Sequence, residues 1–452
     1  MAHAVNAAQA RPLAPGPGHR TVLLTFATVS WQKGSAAQVA SLVGELRKLR
    51  SDLRFLLLSH CPELDRGPAQ DLGIDVVDPG FSPDASRNRR SIGMLGKRLT
   101  FTARSLLHRT GAPCRATSRE PTAQAYAGAD FVLDLSGDSY RDPPGGFAVA
   151  HHANLMAALA AGVPYALVSQ SLGPFHPVNR PLARYLLRRA ALVYVRENRT
   201  REILMQLGVE RERMLQVPDV AFALPAASAR PIWTGEDLDA ARIPRPWVAV
   251  SMSDLALRLS EGTPRNRYVD ELARLAQHLR SSYRASVFLV PHEVNPPYYG
   301  TDDRSAADVL AEGLGRPAWM HSIRGDYGPS VLKGFIGECD AVVASRMHAA
   351  IAGLSSGVPT LLVSWSHKYQ GLMEDIGLEN CVWDQFAAGA GRLDELFDRL
   401  WERRNLVRER LRDYTARAGR QIAGMCARIA ACIPGGSDLQ SGSPASPRAE
   451  AG

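Results

Sequence analysis

Ser345-Arg346-Met347-His348 sets a guanidinium and an imidazole close together at the mouth of a small apolar run, Ala349 to Leu354. The apolar stretch Ala341-Val342-Val343 delivers Ser345 and Arg346 to a strand's C-terminal end, and a helix starting near His348 aims free backbone N–H groups at the same point. Arginine can hold a phosphate or carboxylate through two parallel hydrogen bonds. Histidine changes protonation near neutral pH and can act as acid or base. The pattern is that of an anion site with a proton carrier; its bland alternative is two side chains capping a strand end. Beyond the next strand, Ser364 to Gly371 adds His367 and Lys368, the latter either a second cation for an anion or an exposed loop residue. Pro291-His292-Glu293 and then Asp302-Asp303 follow another apolar run. These acids suggest a metal, but there is no HExxH and no compact ligand spacing, so no metal is expected to be required.

The first half of the chain contributes loops of the same kind. In Trp31-Gln32-Lys33-Gly34-Ser35, Gly34 permits close approach of a ligand to the backbone, and Ser35 opens a helix. The loop is neither a GxGxxG fingerprint nor a Walker loop, so nucleotide binding does not follow. Asp138 could be a base or a helix cap, and His176 a proton donor or a turn residue. Arg196 brings a further arginine to a strand end. Asp219 could meet a substrate hydroxyl or stabilise a hinge.

Strands are read at 22–26, 54–59, 74–77, 131–135, 165–169, 192–196 and 215–217, alternating with helices. That alternation means a parallel sheet covered on both faces. The basic segment 80–125 reads as helix plus loop. A second series runs through 247–251, 285–290, 341–343 and 360–363, with helices at 268–279, 305–313, 329–337 and 348–355 and helical material over 392–431. The fold expected is α/β, two Rossmann-like doubly wound domains facing a cleft, with ligands outside the strands' carboxyl ends. The boundaries are a leader at 1–19, expected to be disordered, a first domain at 20–225, a linker at 226–246, a second domain with terminal helices at 247–433, and a tail at 434–452, also expected to be disordered.

The 452 residues are too many for one ordinary core. The net charge of +8 is spread along the chain, compatible with anionic small substrates but selecting none. The six cysteines include no CxxC pair. No secretory h-region and no uninterrupted 18-residue apolar run occur, so a cytoplasmic location is expected.

Taken in order over about 21–385, these features resemble the polysaccharide pyruvyl transferase family: Lys33-Gly34-Ser35, Asp134 to Asp138, Gln170-Ser171-Leu172-Gly173-Pro174-Phe175, Val195-Arg196-Glu197, Pro218-Asp219, Ser345-Arg346-Met347-His348, Gly357-Val358-Pro359 and His367-Lys368. The resemblance implies a GT-B-like arrangement that moves the pyruvyl group of phosphoenolpyruvate onto sugar hydroxyls as a ketal and releases phosphate, with no cofactor required. It matches Arg346 and His348 to the family's Arg-x-His pair, and Arg196 to a second donor-binding arginine. On that reading His348 delivers a proton to the donor, and Arg196, Arg346 and Lys368 hold its anionic groups. Ser345, Gly34, Ser35, Asp219 and His292 line the substrates, and Asp138 or His176 serves the acceptor. The first loop departs from the family's GN-x-GD-like pattern and Ser136-Gly137-Asp138 from its Gly-Gly pair, so acceptor identity stays open.

The rival enzyme is a nucleotide-sugar-dependent glycosyltransferase, with Glu374 as the candidate ribose-binding carboxylate. A hinged solute-binding or regulatory protein is the non-enzymatic alternative, and Arg346 with His348 argues for turnover. Scattered arginines without an aromatic ladder do not favour nucleic acid. The basic segments 87–98 and 180–189 suit either solvated helix faces or peripheral docking at the inner membrane surface near a lipid-linked saccharide acceptor. A homo-oligomer is compatible with the sequence.

Overall fold

Strand β1 (Arg20–Thr25) is buried from Thr21 onward, as a strand covered on both faces must be. The computed structural model describes residues 18–78, 121–142, 148–260, 267–295, 300–365, 368–387 and 391–435, with Lys368 by its backbone only. β1 is central to a seven-stranded sheet with β2 (Leu53–Leu58), β3 (Ile74–Val77), β4 (Phe131–Asp134), β5 (Tyr165–Gln170), β6 (Leu192–Val195) and β7 (Met214–Gln216), in the order β3-β2-β1-β4-β5-β6-β7. The second sheet has β8 (Trp247–Ser251), β9 (Ser286–Leu289), β10 (Met320–Ser322), β11 (Ala341–Ala344), β12 (Thr360–Ser364) and β13 (Val382–Asp384), in the order β10-β9-β8-β11-β12-β13. Every pairing between these strands is parallel. The chain direction across each sheet reverses beside its first strand, between β1 and β4 and between β8 and β11. Crevices for ligands open at such points.

The helices are α1 (Lys33–Leu49), α2 (Pro62–Asp71), α3 (Pro121–Ala127), α4 (Val149–Ala161), α5 (Arg180–Leu187), α6 (Asn198–Gln206), α7 (Arg230–Gly235), α8 (Asp254–Ser260), α9 (Arg267–Tyr283), α10 (Asp303–Gly313), α11 (Pro329–Gly337), α12 (Met347–Ser355), α13 (Lys368–Ile376), α14 (Leu393–Glu402) and α15 (Arg404–Cys432). In α1 the apolar residues Val39, Leu42, Val43 and Leu46 recur at helical spacing and are buried, while Arg47 and Lys48 sit at its negative C-terminal end. The small residues of α12 have a different cause. A Cβ on Gly353 would lie 2.7 Å from Thr360 Oγ1 and 2.9 Å from Val342 Cγ2. The backbone of α12 therefore rests directly on β11 and β12, and this close approach carries its N-terminus to the cleft.

Two connections differ from a simple pair of domains. The segment expected as a linker contains α7, whose Trp233 packs on Trp247 and Phe335, each at 5.1 Å between ring centroids. The final helix, α15, returns to the first half: Arg50 donates to the carbonyls of Ala430 and Ile433 at 3.3 and 3.2 Å. Residues 79–120, which hold most of the basic segment expected to be helix plus loop, lie outside the described residues. No helix among the described residues is long and apolar enough to cross a membrane.

Candidate active site

The loops after β1 and β9 meet edge to edge. Lys33 N donates to His292 O and Val294 N to Trp31 O, both at 3.0 Å, and Gln32 and Glu293 form an antiparallel bridge. Lys33 Nζ binds Ser30 O and Asp326, and burial lowers its pKa. This latch joins the two halves around a cleft of about 230 Å³ lined by the ends of β1, β4, β6, β9, β11 and β12.

On the second-half side, Arg346 is 15% exposed and its Nη2 lies 2.6 Å from Asp303 Oδ1, with Glu293 also in contact. Its Nε donates to both Asp303 oxygens at 3.0 Å. Burial disfavours the charge, but Asp303 and Glu293 outweigh it and keep the guanidinium cationic. Nη1 makes no hydrogen bond to a described residue. Burial raises the pKa of Glu293, and Asp303 adds to this against the pull of Arg346. His292 is buried beside His348, Arg346 and Lys33; burial first, then those charges, push it down to about 3. Its Nδ1 is without a hydrogen-bond partner among the described residues.

His348 stands between the halves. Its Nε2 lies 3.5 Å from Asp219 Oδ2, with exposures of 22% and 3%. Asp219 also accepts from Arg196 Nη1 at 2.6 Å, Gln38 Nε2 at 2.9 Å and Ala221 N at 3.0 Å. Burial works against ionising this carboxyl, yet His348 and Arg196 hold it well below the usual carboxylate range. His348 Nε2 is buried and makes no hydrogen bond among the described residues, so Asp219 stands beside the ring as a neighbouring charge. The other face of the ring lies over Gly34, where a Cβ would overlap Nδ1, Cγ and Cε1.

The first-half wall is built on buried Asp134, which accepts from Ser136 N at 3.0 Å and from Gln170 and Asn154 side chains at 2.7 and 3.1 Å. These bonds set the turn that carries Asp138 and Ser139 to the cleft. Phe26 lines the same wall, with a left-handed φ of 55°. Its ring stacks on His151 at 3.9 Å between centroids, and His151 Nε2 is 2.9 Å from Ser139 Oγ.

Of the residues singled out from the sequence, Arg346, His348, Asp138, Gly34, Ser35, Arg196 and His292 line this cleft. Several differ in detail from expectation. Gly34 admits the His348 ring where a ligand was expected. Arg196 is no open fork, because its nitrogens are taken by Asp219, Ser171 and Gly137 O. Ser345 is buried, with its hydroxyl bonded to Tyr268 at 2.8 Å and its carbonyl to Trp365 and Tyr369, so it shapes the turn below Arg346. Asp219 lies behind the lining and works through Arg196 and His348. His176 is exposed and is not among the lining residues. Glu374 is exposed and accepts from Gln370, also away from the lining. Lys368 begins α13, but its side chain, like all of His367, lies outside the described residues. Sequence reasoning missed Phe26, Gln38, Trp365 and Tyr369, and, having weighed Glu293 and Asp303 only as metal ligands and set that aside, it did not see them as partners of Arg346. Among the described residues no group of three or more His, Cys, Asp or Glu side chains is placed to hold a metal ion.

The family model for polysaccharide pyruvyl transferases matches residues 33–367. The amylovoran biosynthesis protein AmsJ of Erwinia amylovora is 21% identical over 265 residues, covering 56% of this chain and 61% of its own length. Similar solved structures include a UDP-N-acetylglucosamine 2-epimerase, so described, from Listeria monocytogenes, with a TM-score of 0.56 at 14% identity over 92% of this chain and 97% of that one. Anabaena Alr3699/HepE in complex with UDP and glucose gives 0.52 at 14% identity over 93% and 100%. The Neisseria meningitidis UDP-GlcNAc 2-epimerase bound to UDP-GlcNAc gives 0.53 at 13% over 90% and 98%. At these identities the likeness is one of fold, the two-domain GT-B-like arrangement.

Proposed function

Because the chain belongs to the polysaccharide pyruvyl transferase family, we propose that it transfers the pyruvyl group of phosphoenolpyruvate to two hydroxyls of a saccharide during polysaccharide biosynthesis. The observation that carries this reading is that His348 and Arg346 line one cleft, with Asp219 behind the His348 ring. Phosphoenolpyruvate needs a proton at its methylene carbon and a cationic contact for its anionic groups. His348, with Asp219 behind it, delivers the proton. Arg346 Nη1 meets the phosphate or carboxylate. One sugar hydroxyl attacks C2, phosphate leaves, and the second hydroxyl closes the ketal. Of the two hydroxyl protons lost, one balances the new methyl group and the other leaves with phosphate.

The acceptor lies on the first-half wall, against Phe26 and with a hydroxyl at Asp138, which serves as base. A saccharide fits there because an aromatic face offers apolar contact while the neighbouring carboxylate and serine take hydroxyls. AmsJ, as an amylovoran biosynthesis protein, agrees with a polysaccharide precursor as acceptor. A lipid-linked precursor would bring the enzyme to the inner membrane face from the cytoplasm.

The test is phosphate release from phosphoenolpyruvate with a panel of saccharide and lipid-linked saccharide acceptors, with the ketal identified by mass spectrometry. His348→Ala should lose about 10² to 10⁴-fold in turnover without unfolding. Near-full turnover in that variant would remove His348 from the mechanism, and phosphate release with none of the acceptors would remove the reaction.

A further inference from the structure

A second cavity, of about 290 Å³, opens where Gly377 ends α13 and the C-terminal turn of α14 meets α15. Both helices run back from strand ends that face the cleft, so this cavity lies at the opposite edge of the second sheet. Its floor is apolar: Leu378, Leu400 and Val407 are buried. Leu406 stands at the opening, 51% exposed.

The rim carries Arg399, Arg403 and Arg410. Arg410 Nη1 donates to the Gly377 carbonyl at 2.6 Å and so caps α13. Arg399 and Arg403 make neither an ion pair nor a side-chain hydrogen bond among the described residues. Elsewhere in this half Arg245, Arg304, Arg316, Arg324 and Arg392 each meet a carboxylate. Helix C-termini attract cations, which accounts for Arg410 on the end of α13 and for Arg399 and Arg403 in the last turn and cap of α14. The helix end does not by itself account for the leucine-lined hollow that opens beside these guanidiniums. Apolar surface open to water is unfavourable, and the cavity is near the lower end of the roughly 300 to 1,000 Å³ typical of ligand pockets.

We propose that this cavity binds a single-chain lipid phosphate, with the chain against Leu378, Leu400 and Val407 and the phosphate between Arg399 and Arg403. Charge complementarity selects the head, and the apolar floor selects the chain. The site is separate from the cleft, and the proposal stands independently of pyruvyl transfer.

Cys381 lines the cavity and is a half-buried free thiol, which gives a local readout. The full-length chain is titrated by calorimetry with butyl, hexyl and octyl phosphate, with inorganic phosphate and octyl glucoside as controls. Alkylation of Cys381 by N-ethylmaleimide is followed in parallel by peptide mass spectrometry. The expected result is binding that tightens about fourfold per added methylene together with protection of Cys381. The Arg399→Gln/Arg403→Gln variant should bind octyl phosphate about tenfold or more weakly, with a melting temperature lowered by no more than a few degrees, the size of two lost helix-end charges on exposed side chains. Equal binding of inorganic phosphate, equal binding of octyl glucoside, failure of octyl phosphate to protect Cys381, or full affinity in the double variant would each overturn the proposal.

Discussion

Gly34→Ala isolates the contact on which the proposed chemistry depends. A Cβ at this position would lie 2.7 Å from Cε1 of His348 and closer still to Nδ1 and Cγ, against an ordinary separation of about 3.5 to 4.0 Å. One partner must retreat by about 1 Å or more. The helix start is pinned, because Lys33 N is bonded to His292 O at 3.0 Å and Ala36 N to Gln32 O at 3.0 Å, so the ring moves. His348 then leaves its 3.5 Å position beside Asp219. A displacement of that size at a reacting group costs about 10²-fold in rate. Stability should change little: alanine in a helix is favoured over glycine by about 1 kcal/mol, and the overlap costs about 1 to 3 kcal/mol. The net change corresponds to a few degrees in melting temperature. The assay is phosphate release from phosphoenolpyruvate in Gly34→Ala, His348→Ala and the double variant, alongside thermal melts. The double variant should match His348→Ala, since the added methyl has nothing left to displace. Gly34→Ala turnover within about threefold of the parent, or losses in the two single variants that multiply in the double, would refute the reasoning.

Other outcomes follow from the buried charges. Asp219→Asn leaves Arg196 buried without its carboxylate and should cost about 3 to 5 kcal/mol in denaturant unfolding. The folded pKa of Asp219 is depressed, so its contribution is complete above the unfolded value of about 3.9 and is lost as pH falls toward the folded value; the variant should lack that part of the acid transition. The pKa of His292 is lowered to about 3, so its neutral form favours the fold above about 6.5, and stability drains away as pH falls from there to about 3. His292→Gln should flatten melting temperature against pH across that window, and an unchanged slope would show that His292 is not buried neutral. Phe26→Ala should raise the KM for acceptor while leaving that for phosphoenolpyruvate within about twofold, if the ring gives only uniform binding to the sugar.

Much of the architecture was legible because each signal is local. Unbroken apolar runs such as Val22-Leu23-Leu24 and Ala341-Val342-Val343 mark strands buried on both faces, and the polar residues just beyond them mark the cleft side. Arg346 and His348 could be singled out on this ground alone, since a small-residue helix following a strand must present its N-terminus there. Helix α11 appears at 329–337 as the pattern indicated. Phe26 escaped notice because it reads as the last residue of a strand, whereas its positive φ turns it out of β1 into the wall.

Which groups pair across the cleft was not legible. The strands β9 and β11 flank β8 only once the sheet order exists, and that order brings Glu293 and Asp303 onto Arg346. The latch between the β1 and β9 loops brings Gly34 under His348, and the meeting of β6 and β7 ends joins Arg196 to Asp219. Sequence by itself determined the residue types at each strand end, because those follow from backbone periodicity and burial. Tertiary structure alone decided that Arg196 is spent on Asp219, that Ser345 and Asp219 lie behind the lining, and that glycine at 34 makes room for an imidazole. These are facts of packing between segments distant in the chain, and no local pattern encodes the distance between them.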